Sequence, residues 1–141
     1  MSKSVVIVGA SMGGLRAAEA LRNNGFAGRI TMIGEEAHLP YNRPPLSKEV
    51  LAKEVTHEAV AFKLRAQVED VTWHLGDPAT SVDLDKKVVT TASGKSFDYD
   101  GLVIASGLRP RVLDLPNGKI SGRHTVRTLD DAIGLRAELV P

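Results

Sequence analysis

Residues 5–14 read VVIVGASMGG, an uninterrupted apolar run that ends in a glycine-rich turn. The run Val5-Val6-Ile7-Val8 is β-branched throughout, which is typical of a strand buried on both faces of a parallel sheet. An amphipathic helix is predicted from Met12 to Asn24, and Asn24-Gly25 supplies a stop signal for it. The stretch therefore predicts a buried strand, a tight turn at Gly9 and a helix, in that order.

A second apolar run, Ile30-Thr31-Met32-Ile33, follows this helix and ends at Gly34-Glu35. Strand, helix and strand then fit within about thirty residues, the length of a crossover unit. The run Leu102-Val103-Ile104-Ala105 has the same buried-strand pattern, and we expect it beside the first strand. The predicted fold class is α/β, a Rossmann-like domain whose parallel sheet has flanking helices and a small antiparallel hairpin or meander.

The rest of the chain is less regular, and Pro40, Pro44 and Pro45 predict an extended loop. The other predicted elements are a short helix from Leu46 with Ser47 as a possible cap, a helix over 59–68, a strand over 71–75, a hairpin of 81–84 and 87–91 with a two-residue turn at Asp85-Lys86, and a helix beginning near Arg127. No strand follows this last helix before Pro141, as if the fold were cut there.

The glycine-rich turn has the pattern of a dinucleotide fingerprint. Gly9 permits a tight turn, Gly14 permits close packing of helix on strand, and the helix N-terminus offers N–H groups to a pyrophosphate. Ser11 stands where the usual pattern has its second glycine. In one interpretation, which we favour, the Ser11 hydroxyl donates a hydrogen bond to the pyrophosphate. In the other, the Ser11 side chain weakens the approach of the phosphate to the backbone. An ordinary glycine-rich turn is the alternative.

An acidic residue follows the second strand. Glu35 lies about twenty residues beyond the fingerprint, where a carboxylate accepts hydrogen bonds from the ribose hydroxyls of an adenosine. It would repel a 2′-phosphate, which favours FAD or NAD over NADP at this site. Glu36 is the competing choice, and a solvated loop acid is the further alternative.

The composition argues against several classes of function. The 18 Lys and Arg residues against 17 Asp and Glu give a net charge of +1, so no basic field for nucleic acid exists. The chain has no cysteine, hence no disulfide, thiolate metal site or thiol nucleophile. Its apolar runs are far shorter than the ~18 residues of a spanning helix, and no signal peptide is evident. The four histidines lack the spacing of metal ligands, so we expect no metal site. From the charge and the short apolar runs we expect a soluble, cytoplasmic protein that binds neither nucleic acid nor membrane.

Three further stretches resemble a known family. They are residues 38–48 (HLPYNRPPLSK), residues 97–111 (FDYDGLVIASGLRPR) and residues 127–132 (RTLDDA). With the fingerprint, they are similar to the N-terminal FAD segment of the FAD-dependent pyridine-nucleotide oxidoreductases of the ferredoxin, putidaredoxin and rubredoxin reductase type. Thiol-dependent relatives carry a redox-active cysteine pair after the second strand, and this chain has none.

The resemblance implies a set of contacts with FAD. Lys48 matches the flavin-side lysine and is the implied catalytic residue, its ammonium near N5 of the isoalloxazine; a solvated lysine is the alternative. Arg43 would bind phosphate or flavin edges, with a surface loop arginine as the alternative. The other implied contacts are Gly9, Ala10, Ser11, Gly13 and Gly14 at the pyrophosphate, Glu35 at the ribose, Ala79 at the adenine, Ala105, Ser106 and Gly107 at the strand end, and Arg127 from the segment before an NAD domain.

The resemblance also implies a function. We expect residues 1–141 to be the FAD-binding domain, the N-terminal portion of a reductase that passes electrons from NAD(P)H through FAD to a ferredoxin- or rubredoxin-type acceptor. The NAD(P)-binding and C-terminal domains of the family are absent from this sequence, so we expect this chain alone to be inactive, and self-association to cover an exposed edge. The alternatives are a stand-alone adenine-dinucleotide-binding module or subunit, and a relative with another acceptor, such as a nitrite reductase flavoprotein portion or monodehydroascorbate reductase.

Overall fold

The computed structural model of the chain describes residues 3–113 and 122–139. These residues form two compact units. The first, which we call the sheet unit, comprises the described residues up to Tyr41 together with Phe62–Gly107. The second, the helical unit, comprises Asn42–Ala61 and the described residues from Leu108 onward.

A four-stranded parallel sheet forms the centre of the sheet unit. Its strands are β1 (Ser4–Val8), β2 (Arg29–Ile33), β3 (Thr72–His74) and β7 (Gly101–Ile104), and they lie in the order β3-β2-β1-β7. In register, Val5 of β1 lies opposite Ile30 of β2 and Gly101 of β7. The structure therefore confirms that the run ending at Ala105 returns beside the first strand.

A second, antiparallel sheet accompanies the first. It consists of β4 (Ala79–Asp83), β5 (Val88–Thr91) and β6 (Ser96–Asp98), in that order. This meander confirms the small antiparallel component of the predicted fold class.

Both faces of the parallel sheet are covered. Successive side chains of a strand point to opposite faces, so Val5 and Ile7 of β1 share one face and Val6 the other. The first face packs against Leu15 and Ala18 of helix α1 (Met12–Asn23). The second face packs against residues of the antiparallel layer and the loop before β7, in a cluster of Val6, Ile33, Val89 and Tyr99. The continuous apolar run of β1 is explained by this burial on both sides.

The hairpin between β4 and β5 differs from the prediction. A connection of four residues, 84–87, joins the strands, so the predicted two-residue turn at Asp85-Lys86 is wrong. The Asp83 carboxylate accepts hydrogen bonds from the backbone N–H groups of Asp85 and Lys86, at 3.1 and 2.9 Å. This side-chain acceptor stabilises a wider loop, and Lys87 closes it with a positive φ of 56°.

In the helical unit, a 3-10 turn over Pro44–Ser47 is followed by α2 (Glu49–Ala52), α3 (His57–Val60) and α4 (Leu129–Leu139). Ser47 lies within the 3-10 turn and Lys48 takes the N-cap position of α2, so the predicted Ser47 cap is wrong. The helix predicted near Arg127 is confirmed as α4. Its buried residues Leu129 and Ala132 provide the apolar face, and α4 packs against α2.

The helix predicted over 59–68 is also wrong. α3 ends at Val60, and only Ala66–Val68 is again helical, as one 3-10 turn. The Val60 carbonyl accepts a hydrogen bond from the Asn42 N–H, and the Phe62 N–H donates to the Pro40 carbonyl. These backbone hydrogen bonds to the proline-containing loop replace helical ones, because a carbonyl or N–H group that is bonded to the loop does not form the hydrogen bond of a continuing helix.

Candidate functional site

The strand order of the parallel sheet marks one place for a ligand. From β1 the chain runs to β2 on one side, whereas β7 lies on the other side of β1. Open α/β sheets bind ligands outside the carboxyl ends of the strands, at the point where the strand order reverses. Here that point lies between the ends of β1 and β7, where the Ala105 N–H donates to the Val8 carbonyl at 2.7 Å.

Gly9 directly follows β1 at this point. Its φ is +113°, a conformation that other residues rarely adopt. A Cβ atom on Gly9 would lie 2.1 Å from the carbonyl oxygen of Ala105. The end of β7 therefore lies against the fingerprint turn, and glycine is required there by both conformation and space.

The two glycines at the start of α1 differ in their surroundings. A Cβ atom on Gly14 would lie 1.9 Å from the Gly9 carbonyl oxygen, so Gly14 is required for the close packing of helix on strand. Gly13 is exposed, and a Cβ atom there would meet only the Cβ of Ala105, at an ordinary 3.6 Å. Packing does not require glycine at 13, which leaves the outer side of the first helical turn open for a ligand to approach the backbone.

Helix α1 begins in a way that suits an anion. Ser11 is its N-cap residue with extended backbone, and its carbonyl accepts the helical hydrogen bond of Leu15 at 2.9 Å. The N–H groups of residues 12–14 precede this bond, so they have no acceptor within the helix. Together with the helix dipole they form an arrangement that favours a phosphate group. Ala10 lies in the same turn, 2.7 Å from where a Cβ on Gly34 would be.

The two acidic candidates lie differently. Glu35 is exposed at the end of β2, whereas Glu36 is half-buried and accepts a hydrogen bond from the hydroxyl of the buried Tyr41. The Glu36 carboxylate thus has a structural partner within the protein. The greater exposure of Glu35 favours it as the carboxylate presented to a ligand.

The remaining candidates of the sheet unit are at strand ends. Ala79 begins β4, opposite Thr91, and packs against the cluster of Val6 and Tyr99. Ser106 and Gly107 follow β7 and are exposed, and Gly107 has a φ of +70°. The structure thus brings Ala105 to the fingerprint, with Ser106 and Gly107 directly after it.

The candidates of the helical unit are Arg43, Lys48 and Arg127. Arg43 is half-buried, and its guanidinium donates to the Arg127 carbonyl at 2.6 Å. The Arg127 side chain donates to the Leu108 carbonyl at 3.1 Å. Lys48 is exposed at the junction of the 3-10 turn and α2. The structure therefore brings the two arginines together, through the backbone of one of them.

Arg127 directly precedes a capped helix. The Asp131 carboxylate accepts the N–H groups of Arg127 and Thr128, at 3.0 and 2.9 Å, and the Thr128 hydroxyl accepts the Asp131 N–H. Burial raises the pKa of Asp131, but these hydrogen bonds and the charge of Arg43 outweigh it and lower the pKa below its ordinary value. A charged carboxylate thus fixes the backbone of Arg127.

Comparison with known proteins identifies the family of this chain. The family model described as pyridine nucleotide-disulphide oxidoreductase matches residues 3–141. The chain belongs to the pyridine nucleotide-disulphide oxidoreductase family. Members of this family use FAD and NAD(P)H. The 141 residues contain no cysteine, so the disulphide of the family name is not formed by them.

Relatives within the family are ferredoxin and rubredoxin reductases. A ferredoxin–NAD(P)+ reductase from Sphingomonas sp is 45% identical over 137 residues, which cover 96% of this chain and 33% of the relative. Rubredoxin-NAD(+) reductase from Ectopseudomonas oleovorans is 35% identical over 97% of this chain and 36% of its own length. The crystal structure of a ferredoxin reductase from Rhodopseudomonas palustris matches with a TM-score of 0.87 and 35% identity, over 97% of this chain and 34% of that one. The chain spans about a third of the length of these relatives.

One polar cluster, centred on Asp77, was not predicted from the sequence. The Asp77 carboxylate accepts hydrogen bonds from His74, Thr91 and Ser93, at 2.5–2.9 Å. Its local signal is the turn sequence Gly76-Asp77-Pro78, which indicates a turn but not these partners. Among residues 3–113 and 122–139, the structure shows no group of three or more side chains able to hold a metal ion, and no helix long and apolar enough to span a membrane.

Proposed function

We propose that this chain is the FAD-binding part of a flavoprotein reductase that passes electrons from NAD(P)H through FAD to a ferredoxin- or rubredoxin-type acceptor. The observation that carries the proposal is the turn after β1. There Gly9 and Gly14 are required by packing, while Gly13 is exposed and leaves the first turn of α1 open. Family membership and the names of the reductases that match the chain support the same conclusion.

The fingerprint residues would hold the pyrophosphate of FAD. In this role the N–H groups of the first turn of α1 donate to phosphate oxygens, at a helix end with partial positive charge. Ser11, at the N-cap, has a hydroxyl that adds a donor in the same place. Gly9, Ala10, Gly13 and Gly14 provide backbone without bulk, and Ala105, Ser106 and Gly107 border the turn from the end of β7.

The adenosine half of FAD would lie toward β2 and β4. The exposed Glu35 accepts hydrogen bonds from ribose hydroxyls and repels a 2′-phosphate, which selects against an NADP-like ligand at this place. Ala79 would meet the adenine through backbone atoms at the start of β4. Because such a contact depends on backbone rather than on side chain, no sequence motif marks it.

The flavin, when bound, supplies the redox chemistry, accepting a hydride and releasing single electrons. By resemblance, Lys48 is the residue of this chain that faces the flavin, and an exposed ammonium there would favour added negative charge on the ring. Arg43 and Arg127 are the further contacts. The hydrogen bond from Arg43 to the Arg127 carbonyl gives Arg43 a positioning role for Arg127, beside any direct one.

The proposal includes partners that this chain does not itself contain. NAD(P)H would bind a second nucleotide-binding domain, in the same polypeptide or in a partner chain, and residues 1–141 would act as one FAD-binding domain. The cytoplasmic location and the self-association expected from the sequence remain predictions.

A direct test is the visible absorption spectrum of the purified chain, followed by titration of the stripped protein with FAD, FMN and NAD. We expect a flavin spectrum and tighter binding of FAD than of FMN, because the fingerprint and Glu35 recognise the ADP half that FMN lacks. FAD should also bind more tightly than NAD, because Lys48 would add a contact with the flavin half that NAD lacks. Preferential binding of NAD would instead support an adenine-dinucleotide module without hydride transfer of its own. If no dinucleotide binds, the proposal for this chain is wrong.

A further inference from the structure

We infer that Asp77 is a positioning residue for adenosine binding, which it serves by holding the segment that carries Glu35. This inference rests on the proposed function, because it concerns the ADP half of the same ligand. Asp77 lies outside the fingerprint and outside residues 38–48, 97–111 and 127–132, the stretches that carry the resemblance.

The side chain of Asp77 joins the two sheets. One oxygen, Oδ2, accepts from Nε2 of His74 at the end of β3, at 2.7 Å. It also accepts from the hydroxyls of Thr91, the last residue of β5, and of Ser93 in the following turn, at 2.7 and 2.5 Å. The other, Oδ1, accepts the Ser93 N–H at 2.9 Å. Only 13% of the Asp77 side chain is exposed, so these four donors largely replace water around the carboxylate.

The backbone around Asp77 holds the acidic segment. Its own N–H donates to the Gly34 carbonyl at 3.1 Å, and the Gly76 N–H donates to the Glu36 carbonyl at 3.0 Å. The Gly34 N–H in turn donates to the His74 carbonyl at 2.9 Å. Glu35 lies between Gly34 and Glu36, whose carbonyls accept these two hydrogen bonds, so the position of its backbone depends on the position of residues 74–77.

The same residue also orders the start of β4. Ala79 follows Asp77 by two residues, and the Ala92 N–H donates to the Pro78 carbonyl at 2.9 Å. Asp77 therefore lies where the proposed ribose contact and the proposed adenine contact are both fixed to the ends of β3 and β5. Weakening its four hydrogen bonds loosens this support without removing any group that touches the ligand.

The test uses ADP as the probe, since ADP contains the adenosine and pyrophosphate but no flavin or nicotinamide. Affinities are measured by calorimetry for the chain and for Asp77→Asn, with Asp83→Asn as the matched control. Asp83 also accepts backbone hydrogen bonds next to the antiparallel sheet, but in the loop between β4 and β5, at the other end of β4 from Ala79. We expect Asp77→Asn to weaken ADP binding about 3- to 10-fold, in the lower part of the range for coupled residues of one hydrogen-bond network, and Asp83→Asn to leave it unchanged.

A double-mutant cycle separates positioning from general destabilisation. If Asp77 acts through Glu35, the loss caused by Asp77→Asn is smaller in the Glu35→Ala background than in the unmodified chain, and the remaining loss reflects the adenine contact at Ala79. An equal loss in both backgrounds, or no loss in either, overturns the inference while leaving the proposed function intact. If the unmodified chain does not bind ADP, the proposed function and the inference both fail. Ser93→Ala removes one donor only and provides the same cycle should Asp77→Asn not fold.

Discussion

The carbonyl oxygen of Ala105 occupies the place where a side chain on Gly9 would begin, since a Cβ on Gly9 would lie only 2.1 Å from it. The last strand of the parallel sheet thus closes against the turn after the first. Because the obstructing atom belongs to the backbone, no side-chain rearrangement relieves the overlap. The proposed pyrophosphate site and the packing of the sheet therefore depend on one residue.

Gly9→Ala should destabilise the fold severely. The overlap with Ala105 adds to the positive φ, and together we expect a loss of about 3 kcal/mol or more in the free energy of unfolding. Gly25→Ala is the matched control, because Gly25 has a φ of +80° with nothing within 4 Å of an added Cβ. That variant should lose only about 1 kcal/mol. Urea denaturation measures both, and equal losses would show that the Ala105 contact adds nothing.

Gly13→Ala should separate stability from binding. Packing leaves room for the methyl group, and alanine is the better helix former, so the free energy of unfolding should stay the same or rise by about 0.5–1 kcal/mol. The methyl group occupies the side from which phosphate approaches, and FAD affinity should fall at least about tenfold, or about 1.4 kcal/mol.

The control for Gly13→Ala is Gly134→Ala, the same change at an exposed position of α4 with no atoms near an added Cβ. It should stabilise its helix similarly and leave FAD affinity unaltered. Unchanged FAD affinity in Gly13→Ala would place the pyrophosphate elsewhere.

The two adjacent glutamates should give opposite results. Glu35→Ala should weaken binding of FAD or ADP by about 1.5–3 kcal/mol, as expected for a hydrogen bond to a charged group, with little effect on unfolding. Glu36→Ala removes a carboxylate that accepts a hydrogen bond from the hydroxyl of buried Tyr41, so it should cost about 1–3 kcal/mol of stability. Titration calorimetry and urea denaturation of both variants decide between them. Weaker binding in Glu36→Ala alone would move the ribose contact to Glu36.

Whether the sequence predicts a structural feature depends on how far apart along the chain the residues that form it lie. The β1 strand, the turn at Gly9 and helix α1 were predicted correctly because their signals are contiguous: an apolar run, glycines and helical periodicity. The helix over 59–68 was wrong because its backbone groups bond to the loop at Pro40 and Asn42, which local periodicity does not reveal. Asp77 was missed for the same reason, since two of its partners lie 14 and 16 residues away.

Lys48→Met should act on the cofactor rather than on the fold. Removing a cation beside the flavin disfavours added negative charge, so the flavin potential of the FAD-loaded protein should fall. In the full-length enzyme, reduction by NAD(P)H should also slow. Lys53→Met is the matched control, an exposed lysine at the C-terminal end of α2. Spectroscopic titration against redox dyes measures both potentials. A potential unaltered in Lys48→Met would assign Lys48 to the solvated surface.

Asp77 should also make stability depend on acid. The Ser93 hydroxyl, with Thr91, His74 and the Ser93 N–H, outweighs the effect of burial and holds the pKa of Asp77 well below its ordinary 3.8. A group whose pKa is lower in the folded state stabilises the fold above its unfolded pKa, and this contribution disappears as the pH falls below that value. The difference in urea midpoint between the chain and Asp77→Asn should therefore be full at pH 7 and shrink progressively below about pH 4. A difference that stays constant down to the lowest pH at which the chain remains folded would show that the Asp77 charge does not hold the two sheets together.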